Sequence, residues 1–199
     1  MKDTTLQIIT SRLSATEHEI RTLLENAEEQ TFSHKDIIVH EGESNSNLYI
    51  ITRGVWRAYT FKDGSEATLW FAGEGEIAFS TWGYVANIPS RLTLEAVTDS
   101  EAYCLTKEKL EQLYRSSVQL ANLGRRILEN FMLEIEISWL DSYNRTAFER
   151  YVMLLQKQPE IIQSVPLKHI ASYLGVTAQS LSRIRAQLVR LTESTPPLP

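Results

Sequence analysis

The sequence predicts an α+β protein: an antiparallel β-roll of the double-stranded β-helix type, then one long helix, then a C-terminal helix-turn-helix unit. Three observations lead to this fold class. Short strand-like runs separated by glycine fill residues 31–105, helical periodicity dominates after residue 107, and a helix, a glycine turn and a second helix follow in residues 166–185. We expect residues 1–116 to form the roll with N-terminal helices, 117–143 the long helix and 144–199 the C-terminal unit.

The chain is predicted to begin with helices over residues 5–30. Apolar side chains recur there at intervals of three and four residues, so that a helix would place them on one face. They are Leu6, Ile9, Leu13, Ile20, Leu23 and Leu24. Ser14 is a suitable N-cap for a second helical segment that contains Glu17.

Short runs rich in β-branched and aromatic residues predict the strands of the roll. They occupy residues 37–39, 48–51, 55–59, 67–71, 92–97 and 102–105. Glycines recur every ten to twelve residues through this region, and residues 62–65, Lys-Asp-Gly-Ser, predict a tight hairpin turn. Many short strands at this spacing favour an antiparallel barrel or roll.

After a short helix over residues 107–114, a long helix is predicted from Val118 to about Tyr143. An apolar seam runs along it, and a seam that its own domain leaves uncovered commonly pairs with the same helix of a second copy. The alternative is that the seam packs wholly against the roll. We expect a two-fold homodimer whose interface comprises Leu120, Ile127, Leu128, Phe131, Ile135 and Trp139. A further helix is predicted over residues 144–158, ended by Pro159.

The C-terminal pattern is that of a helix-turn-helix. Apolar residues at helical spacing precede Gly175, which gives the backbone the freedom for a sharp turn. Thr177 is then a good N-cap for a second helix, which would lie in the major groove of DNA. The residues on or near its outward face are Ala178, Gln179, Ser180, Ser182, Arg183 and Arg185. The alternative is an ordinary helical hairpin inside a core.

Charge is distributed unevenly along the chain. Residues 145–199 contain seven Lys and Arg against three Asp and Glu, whereas residues 1–144 contain thirteen against twenty-two. The net charge is therefore +4 in the C-terminal part and −9 before it, within a total of −5. A basic C-terminal part favours contacts with DNA phosphates, because neutralising phosphates and releasing counterions supplies much of the affinity.

Composition narrows the classes of protein further. With 43% apolar and 23% charged residues, no run near the roughly 20 apolar residues of a membrane span and no apolar signal-peptide core, the sequence predicts a soluble cytoplasmic protein without a membrane partner. The single Cys104 excludes an intrachain disulfide and a multi-cysteine metal or iron–sulfur cluster held by one chain. We expect no metal site.

Two sets of motifs, one in each half of the chain, point to a known family. In the roll they are residues 41–42, 48–54, 62–64, 73–76 and 95–99, and in the C-terminal unit residues 149–151, 154–155, 165–167, 170–177 and 181–185. Together they resemble the Crp/Fnr superfamily of bacterial transcription regulators from end to end. The resemblance implies a cyclic-nucleotide-binding-like sensory domain, a dimerisation helix and a winged helix-turn-helix, acting as a homodimeric DNA-binding regulator and not as an enzyme.

The resemblance also implies which residues touch double-stranded DNA. By motif position, Gln179 and Arg183 are predicted to read bases, because Gln pairs bidentately with adenine and Arg with guanine. Candidates for phosphate or secondary contacts are Thr177, Ser180, Arg185 and, from the first helix, Lys168. Two reading helices would enter successive major grooves about 34 Å apart on a pseudo-palindromic operator. A small-molecule effector in the roll and RNA polymerase are further candidate partners.

The sensory half departs from the family's cyclic-nucleotide pattern. Members that bind cAMP have a Gly-Glu-Leu helix start for the ribose and an Arg-Ser pair for the phosphate. Here residues 79–81, Phe-Ser-Thr, align with the first, and Ser90-Arg91 with the second, so that the arginine is shifted by one position and would point outward on a strand. The purine-contacting part of the long helix reads Phe131-Met132-Leu133. No cofactor is identified, and neither cAMP nor cGMP is favoured.

An apolar pocket for another effector is one interpretation of the aromatic residues in this region, and plain core packing is the other. The candidate pocket residues are Trp70, Phe71, Phe79, Ser80, Trp82, Ser90, Arg91 and Met132. Tyr84 belongs to the same group of aromatics.

Two other classes of function are weighed. A cupin-like enzyme would need His-x-His with a downstream Glu and a further His, whereas His34 and His40 are six residues apart and the next histidine is His169. A signalling adaptor would keep the fold but lose DNA binding, which the Thr177 cap and the arginines of the second helix disfavour.

Overall fold

The computed structural model describes residues 3–193, with side chains as far as Leu191. The strands are β1 Glu28–Phe32, β2 Ile37–Val39, β3 Leu48–Arg53, β4 Trp56–Lys62, β5 Ser65–Ala72, β6 Ile77–Phe79, β7 Thr93–Ala96 and β8 Ser100–Leu105. They form two antiparallel four-stranded sheets with the orders β1-β8-β3-β6 and β2-β7-β4-β5. All the predicted runs are strands, whereas β1 and β6 were not predicted.

The β4–β5 hairpin turns at the predicted place. Asp63 and Gly64 both have positive φ, 51° and 75°, as in the type I′ turns that suit the twist of two-residue hairpins. One bulge interrupts the pairing of the two strands after Ala58. Because β5 is the edge strand of its sheet, the outer side of its backbone needs other hydrogen-bond partners.

Two helices, α1 Asp3–Arg12 and α2 Glu17–Glu25, precede the roll. The cap of α2 is Thr16 and not Ser14: the Thr16 hydroxyl accepts the Glu19 N–H at 3.2 Å, and the Glu19 carboxylate accepts the Thr16 N–H at 2.7 Å. This reciprocal capping box satisfies two donors at the helix end. The chain becomes a strand at residue 28, so the prediction of helix as far as residue 30 is wrong at its end.

In the described residues, six helices follow the roll. They are α3 Lys107–Ser116, α4 Val118–Asn144, α5 Ala147–Lys157, α6 Pro159–Ser164, α7 Leu167–Tyr173 and α8 Ala178–Glu193. Pro159 follows the end of α5 as predicted. It also begins α6, where the first backbone N–H of a helix has no partner within the helix, so that proline loses no hydrogen bond. No strand occurs between residue 106 and residue 193, and a wing after that point would lie outside the described residues. None of the described helices is long and apolar enough to cross a membrane.

Three apolar clusters hold the structure together. The first fills the roll between its two sheets, around Trp56. The second packs the four helices α1, α2, α3 and α4 against the outer face of the β1-β8-β3-β6 sheet, including Leu48 and Leu105. The third joins the outer face of the other sheet, through Phe71 and the neighbouring Val55, to the C-terminal helices. The roll and the C-terminal unit therefore share a core.

Candidate nucleic-acid interface and effector region

The turn between α7 and α8 has the geometry of a helix-turn-helix. Gly175 has a φ of 67°, a conformation that suits glycine. The Thr177 hydroxyl accepts the Ser180 N–H at 3.1 Å, which confirms Thr177 as the N-cap of α8. Leu174 and Leu181 are fully buried in the cluster that joins the two helices. Packing and capping together fix how α8 stands on the surface.

The outward face of α8 is open. Gln179, Ser182 and Arg183 are exposed, and at 3.6 residues per turn they fall on one side of the helix. Arg185 is exposed on the flank, roughly 200° around the axis from Arg183. Within the described part of the chain, neither guanidinium has an ion-pair or hydrogen-bond partner. Of the other predicted contact residues, Lys168, Thr177 and Ala178 are exposed and Ser180 is half-buried.

The inner side of α7 docks on the edge strand β5. The Ser172 hydroxyl accepts the Thr68 N–H at 2.8 Å and donates to the Glu66 carbonyl at 2.7 Å. One side chain thus satisfies backbone groups that a further strand would otherwise pair. The rings of Phe71 and Tyr173 add a contact with centroids 5.4 Å apart. Sequence reasoning did not single out Ser172, because its partners are backbone groups 104 and 106 residues away.

A buried ionic cluster lies beside this contact. Arg57, only 1% exposed, donates to the Glu95 carboxylate at 2.5 and 3.0 Å and pairs with Glu66 at 2.7 Å. On α7, His169 places Nδ1 3.6 Å from the Glu66 carboxylate. Burial, reinforced by the positive charges of Arg57 and Lys168, lowers the pKa of His169 to about 4. The imidazole is therefore neutral at neutral pH. The ionic cluster lies at the junction between the roll and the C-terminal unit.

The aromatic candidates for an effector pocket lie in three different clusters. Trp70 packs against the interior of the roll. Phe71 faces the C-terminal helices on the outside of the roll. Phe79 faces α4 and the N-terminal helices. Successive side chains of a strand point to opposite faces, so Trp70 and Phe71 cannot line one pocket.

The other pocket candidates are also dispersed. Ser80 and Ser90 are buried, but their hydroxyls are used locally: Ser80 Oγ accepts the Gly83 N–H, and Ser90 Oγ bonds the backbone of Leu92. Arg91 is exposed in the loop before β7. The remaining two, Trp82 and Met132, are half-buried and 70% exposed respectively. The structure therefore does not bring the eight candidates together.

Instead, three aromatic rings meet where β6, a single π-helical turn at Trp82–Ala86 and α4 come together. The ring of Phe79 lies 5.1 Å from that of Tyr84 and 4.8 Å from that of Phe131, centroid to centroid. Phe79 and Tyr84 are 3% and 8% exposed, and Phe131 is half-buried. We call these three residues the aromatic plug.

The first half of α4 faces its own chain. Leu120 and Ile127 are 4% and 9% exposed and belong to the core beneath α1 and α2. Leu128 and Phe131 are half-buried against the same core. Leu120 and Ile127 are therefore unavailable to a second copy, which corrects their assignment to a dimer interface. The spacing of apolar residues is the same in the buried and the exposed half of the helix, so it did not distinguish the two.

The second half of α4 exposes its apolar side chains. Met132, Ile135 and Trp139 are 70%, 50% and 67% exposed. With Leu128 they follow each other at intervals of four, three and four residues, which places them along one side of the helix. We call Leu128, Met132, Ile135 and Trp139 the outer ridge. Met132, predicted for the effector pocket, lies on this ridge.

Comparison with known proteins agrees with this architecture. Residues 29–117 match the family model of the cyclic nucleotide-binding domain, while a comparison with curated proteins gives no match. FixK2 from Bradyrhizobium japonicum is 23% identical, with a TM-score of 0.72 over 83% of this chain and 86% of that one. The c-di-GMP responsive global regulator CLP of Xanthomonas campestris is 17% identical, with a TM-score of 0.68 over 88% and 92%.

A mutant of CooA from Carboxydothermus hydrogenoformans covers even more of the chain. It is 16% identical, and the alignment includes 96% of this chain and 87% of that one with a TM-score of 0.66. At 96% of the chain, this alignment includes the roll, the long helix and the C-terminal helices together. Residues 29–117 thus match the model of the cyclic nucleotide-binding domain, and the described chain as a whole has the fold of the Crp/Fnr-family regulators.

Proposed function

We propose that this protein is a homodimeric transcription regulator that binds DNA sequence-specifically through α8. The observation that carries the proposal is the open outward face of α8, where Gln179 and Arg183 point away from the protein. Glutamine and arginine have the donor and acceptor geometry that reads adenine and guanine in the major groove. An exposed arginine without a protein partner keeps all its donors for such a contact.

Charge and capping support the same function. The part of the chain after residue 144 carries a net charge of +4, which favours phosphate contacts. The N-terminus of α8 lies beside the exposed Thr177 and Ala178, and the backbone N–H groups of a helix N-terminus attract phosphate. Arg185 on the flank and Lys168 on α7 extend this positive surface around the reading face.

The outer ridge supports dimerisation. Its spacing of four, three and four residues is that of successive a and d positions in a two-stranded coiled coil. A second copy is the partner that fits, because such a ridge is complementary to itself across a two-fold axis. A two-fold dimer also presents two α8 helices, as a pseudo-palindromic operator requires. The interface thus includes Leu128, Ile135 and Trp139 of the predicted set and adds Met132.

The similar structures favour a regulator over an enzyme or an adaptor. CLP is described as a regulator that links cell–cell signalling to virulence gene expression, and by analogy we place this protein with DNA in the bacterial cytoplasm. An effector and RNA polymerase are candidate partners on the same analogy. An adaptor without DNA binding would have no use for a capped α8 with an open reading face.

Two variants test the assignment on an operator selected from random DNA. Replacing Arg183 by Ala should cost about 1–3 kcal/mol of binding free energy and relax the preference at one base pair per half-site. Arg185→Ala is the matched variant on the same helix. It should weaken binding to cognate and scrambled DNA alike and lower the salt slope by about one unit, because it removes a phosphate contact.

Affinities are measured by fluorescence anisotropy at two salt concentrations. Equal loss of base preference in both variants would show that the reading face is assigned to the wrong side of α8. A wild-type protein that selects no sequence from random DNA would refute the proposed function and favour the adaptor.

A further inference from the structure

The family of residues 29–117 implies a cyclic nucleotide, and the residues present do not fit one. A cyclic nucleotide needs a cation for its phosphate and an acceptor for its ribose hydroxyl. Arg91, aligned with the phosphate site, is exposed in the loop before β7. Residues 79–81 contain no carboxylate, and the Ser80 and Ser90 hydroxyls are already bonded to neighbouring backbone groups.

Side chains of the protein occupy the place where β6 and the 82–86 turn face α4. In the aromatic plug, Phe79 touches both Tyr84 of the turn and Phe131 of α4. Aromatic pairs at centroid separations near 5 Å gain about 0.5–1.5 kcal/mol beyond the burial of their surface. The plug therefore joins three elements: β6, the 82–86 turn and α4.

A second set of contacts ties the same turn to α3 and α4. The Lys107 ammonium group donates to the Tyr84 carbonyl and lies 5.5 Å from the centre of the Tyr84 ring. The Tyr84 and Tyr114 hydroxyls interact with each other, and burial raises the pKa of both. Tyr114 reaches α4 at Gly124, where a Cβ atom would lie 2.6 Å from the tyrosine ring. Only glycine allows this approach.

We propose that the aromatic plug is a built-in substitute for a diffusible effector. It holds the 82–86 turn against α4 without a ligand, and so keeps the protein in the arrangement that binds DNA. The inference rests on the proposed function. With the plug closed, the outward face of α8 and the outer ridge of α4 are both exposed. We therefore assign the closed plug to the arrangement that binds DNA.

The first arm of the test uses the wild-type dimer. Purified without nucleotide, it should bind its selected operator, and cAMP, cGMP or c-di-GMP at 1 mM (roughly a thousandfold above a micromolar Kd) should change neither the operator affinity nor the melting temperature. An operator affinity that requires any of these nucleotides would overturn the inference while leaving the proposed function intact.

The second arm opens the plug. Phe79→Ala removes the central ring on β6, leaves the four side chains of the outer ridge unchanged, and should weaken operator binding by about tenfold with the dimer retained in sedimentation. Indole, an apolar probe that can refill the space, should restore most of the affinity. Phe79→Leu makes a smaller cavity and should give an intermediate loss, which keeps the test valid where the alanine variant does not fold.

Leu94→Ala is the matched control. Leu94 is 0% exposed in the interior of the roll and lies in a different cluster, so its loss should lower stability and leave the operator affinity within about twofold. Wild-type affinity in folded Phe79 variants, or an equal loss in Leu94→Ala, would show that the plug is ordinary core. Failure of the wild type to select DNA is a separate result, because it refutes the proposed function itself.

Discussion

The two halves of α4 carry apolar residues at the same helical spacing, yet the chain treats them differently. In the first half, Leu120 and Ile127 lie in the chain's own core at 4% and 9% exposure. In the second half, Met132, Ile135 and Trp139 are at least half exposed. One helix of 27 residues therefore has one half packed into the chain's core and one half with open apolar side chains. The difference teaches that an apolar seam reveals a helix that will be covered, but not which molecule covers it.

The C-terminal unit repeats this division on a smaller scale. On α7, Ser172 bonds the backbone of β5 and His169 is buried beside Glu66, so both residues lie against the roll. On α8, Gln179 and Arg183 face outward and have no hydrogen-bond or ion-pair partner in the described chain. Substitutions on the inner faces should change stability, whereas substitutions on the outer faces should change assembly or DNA binding.

The largest effect is expected from Ile127→Glu. This change would put an unpaired carboxylate into the core beneath α1 and α2, which costs roughly 3–5 kcal/mol of the free energy of unfolding. Urea denaturation followed by circular dichroism measures the loss. A loss below about 1 kcal/mol would contradict the burial of Ile127 in the core.

Ile135→Glu is the matched change, eight residues further along the same helix. Ile135 is 50% exposed, so the fold of each protomer should lose no more than about 0.5 kcal/mol. The dimer should weaken by roughly 2 kcal/mol or more, because two like charges would face each other across the two-fold axis. Sedimentation equilibrium reads this directly. A variant that stays dimeric at wild-type affinity would place the interface elsewhere.

A pH titration probes the junction between the roll and the C-terminal unit. His169 has an ordinary pKa of 6.5 when unfolded and about 4 in the folded protein, so the unfolded chain binds the extra proton between these values. Stability is therefore complete above pH 6.5 and falls as the pH drops toward 4. Between pH 7 and pH 5 the loss is about 2 kcal/mol. His169→Gln cannot take up the proton and should lose this part of the pH dependence; an unchanged difference would contradict the assignment.

Much of the fold was predictable because it depends on local signals. Runs of β-branched and aromatic residues marked the strands. The Asp63-Gly64 and Gly175–Thr177 turns each carry a residue whose backbone preference favours the turn. The strand β1 was missed because residues 28–30 were assigned to the N-terminal helices, and β6 because only one of its three residues is β-branched, whereas all three residues of the equally short β2 are. Thr16 was missed as a cap because Ser14 is equally suitable by composition.

The candidate sites divide in the same way. The exposed positions on α8 follow from helical period and so could be predicted, although their role in reading DNA is still a prediction. The arrangement of the predicted effector-pocket residues could not be predicted, because Trp70 and Phe71 are neighbours in sequence but face the roll interior and the C-terminal helices respectively. The same applies to α4, where only the packing of α1 and α2 decides that Ile127 is covered and Ile135 is not.

The smallest effect separates two serines of the C-terminal unit. Ser172→Ala removes both hydrogen bonds to β5, leaving the Thr68 N–H and the Glu66 carbonyl without that partner, and should lower the free energy of unfolding by about 1 kcal/mol. Ser182→Ala is the control, since its exposed hydroxyl bonds only the Ala178 carbonyl of its own helix, and it should cost less than about 0.5 kcal/mol. Amide exchange at Thr68 should accelerate only in the Ser172 variant. Equal stability and equal exchange in both variants would mean that the apolar contacts around Phe71 and Tyr173 suffice to hold α7 on the roll, and that the polar part of this inner face adds nothing measurable.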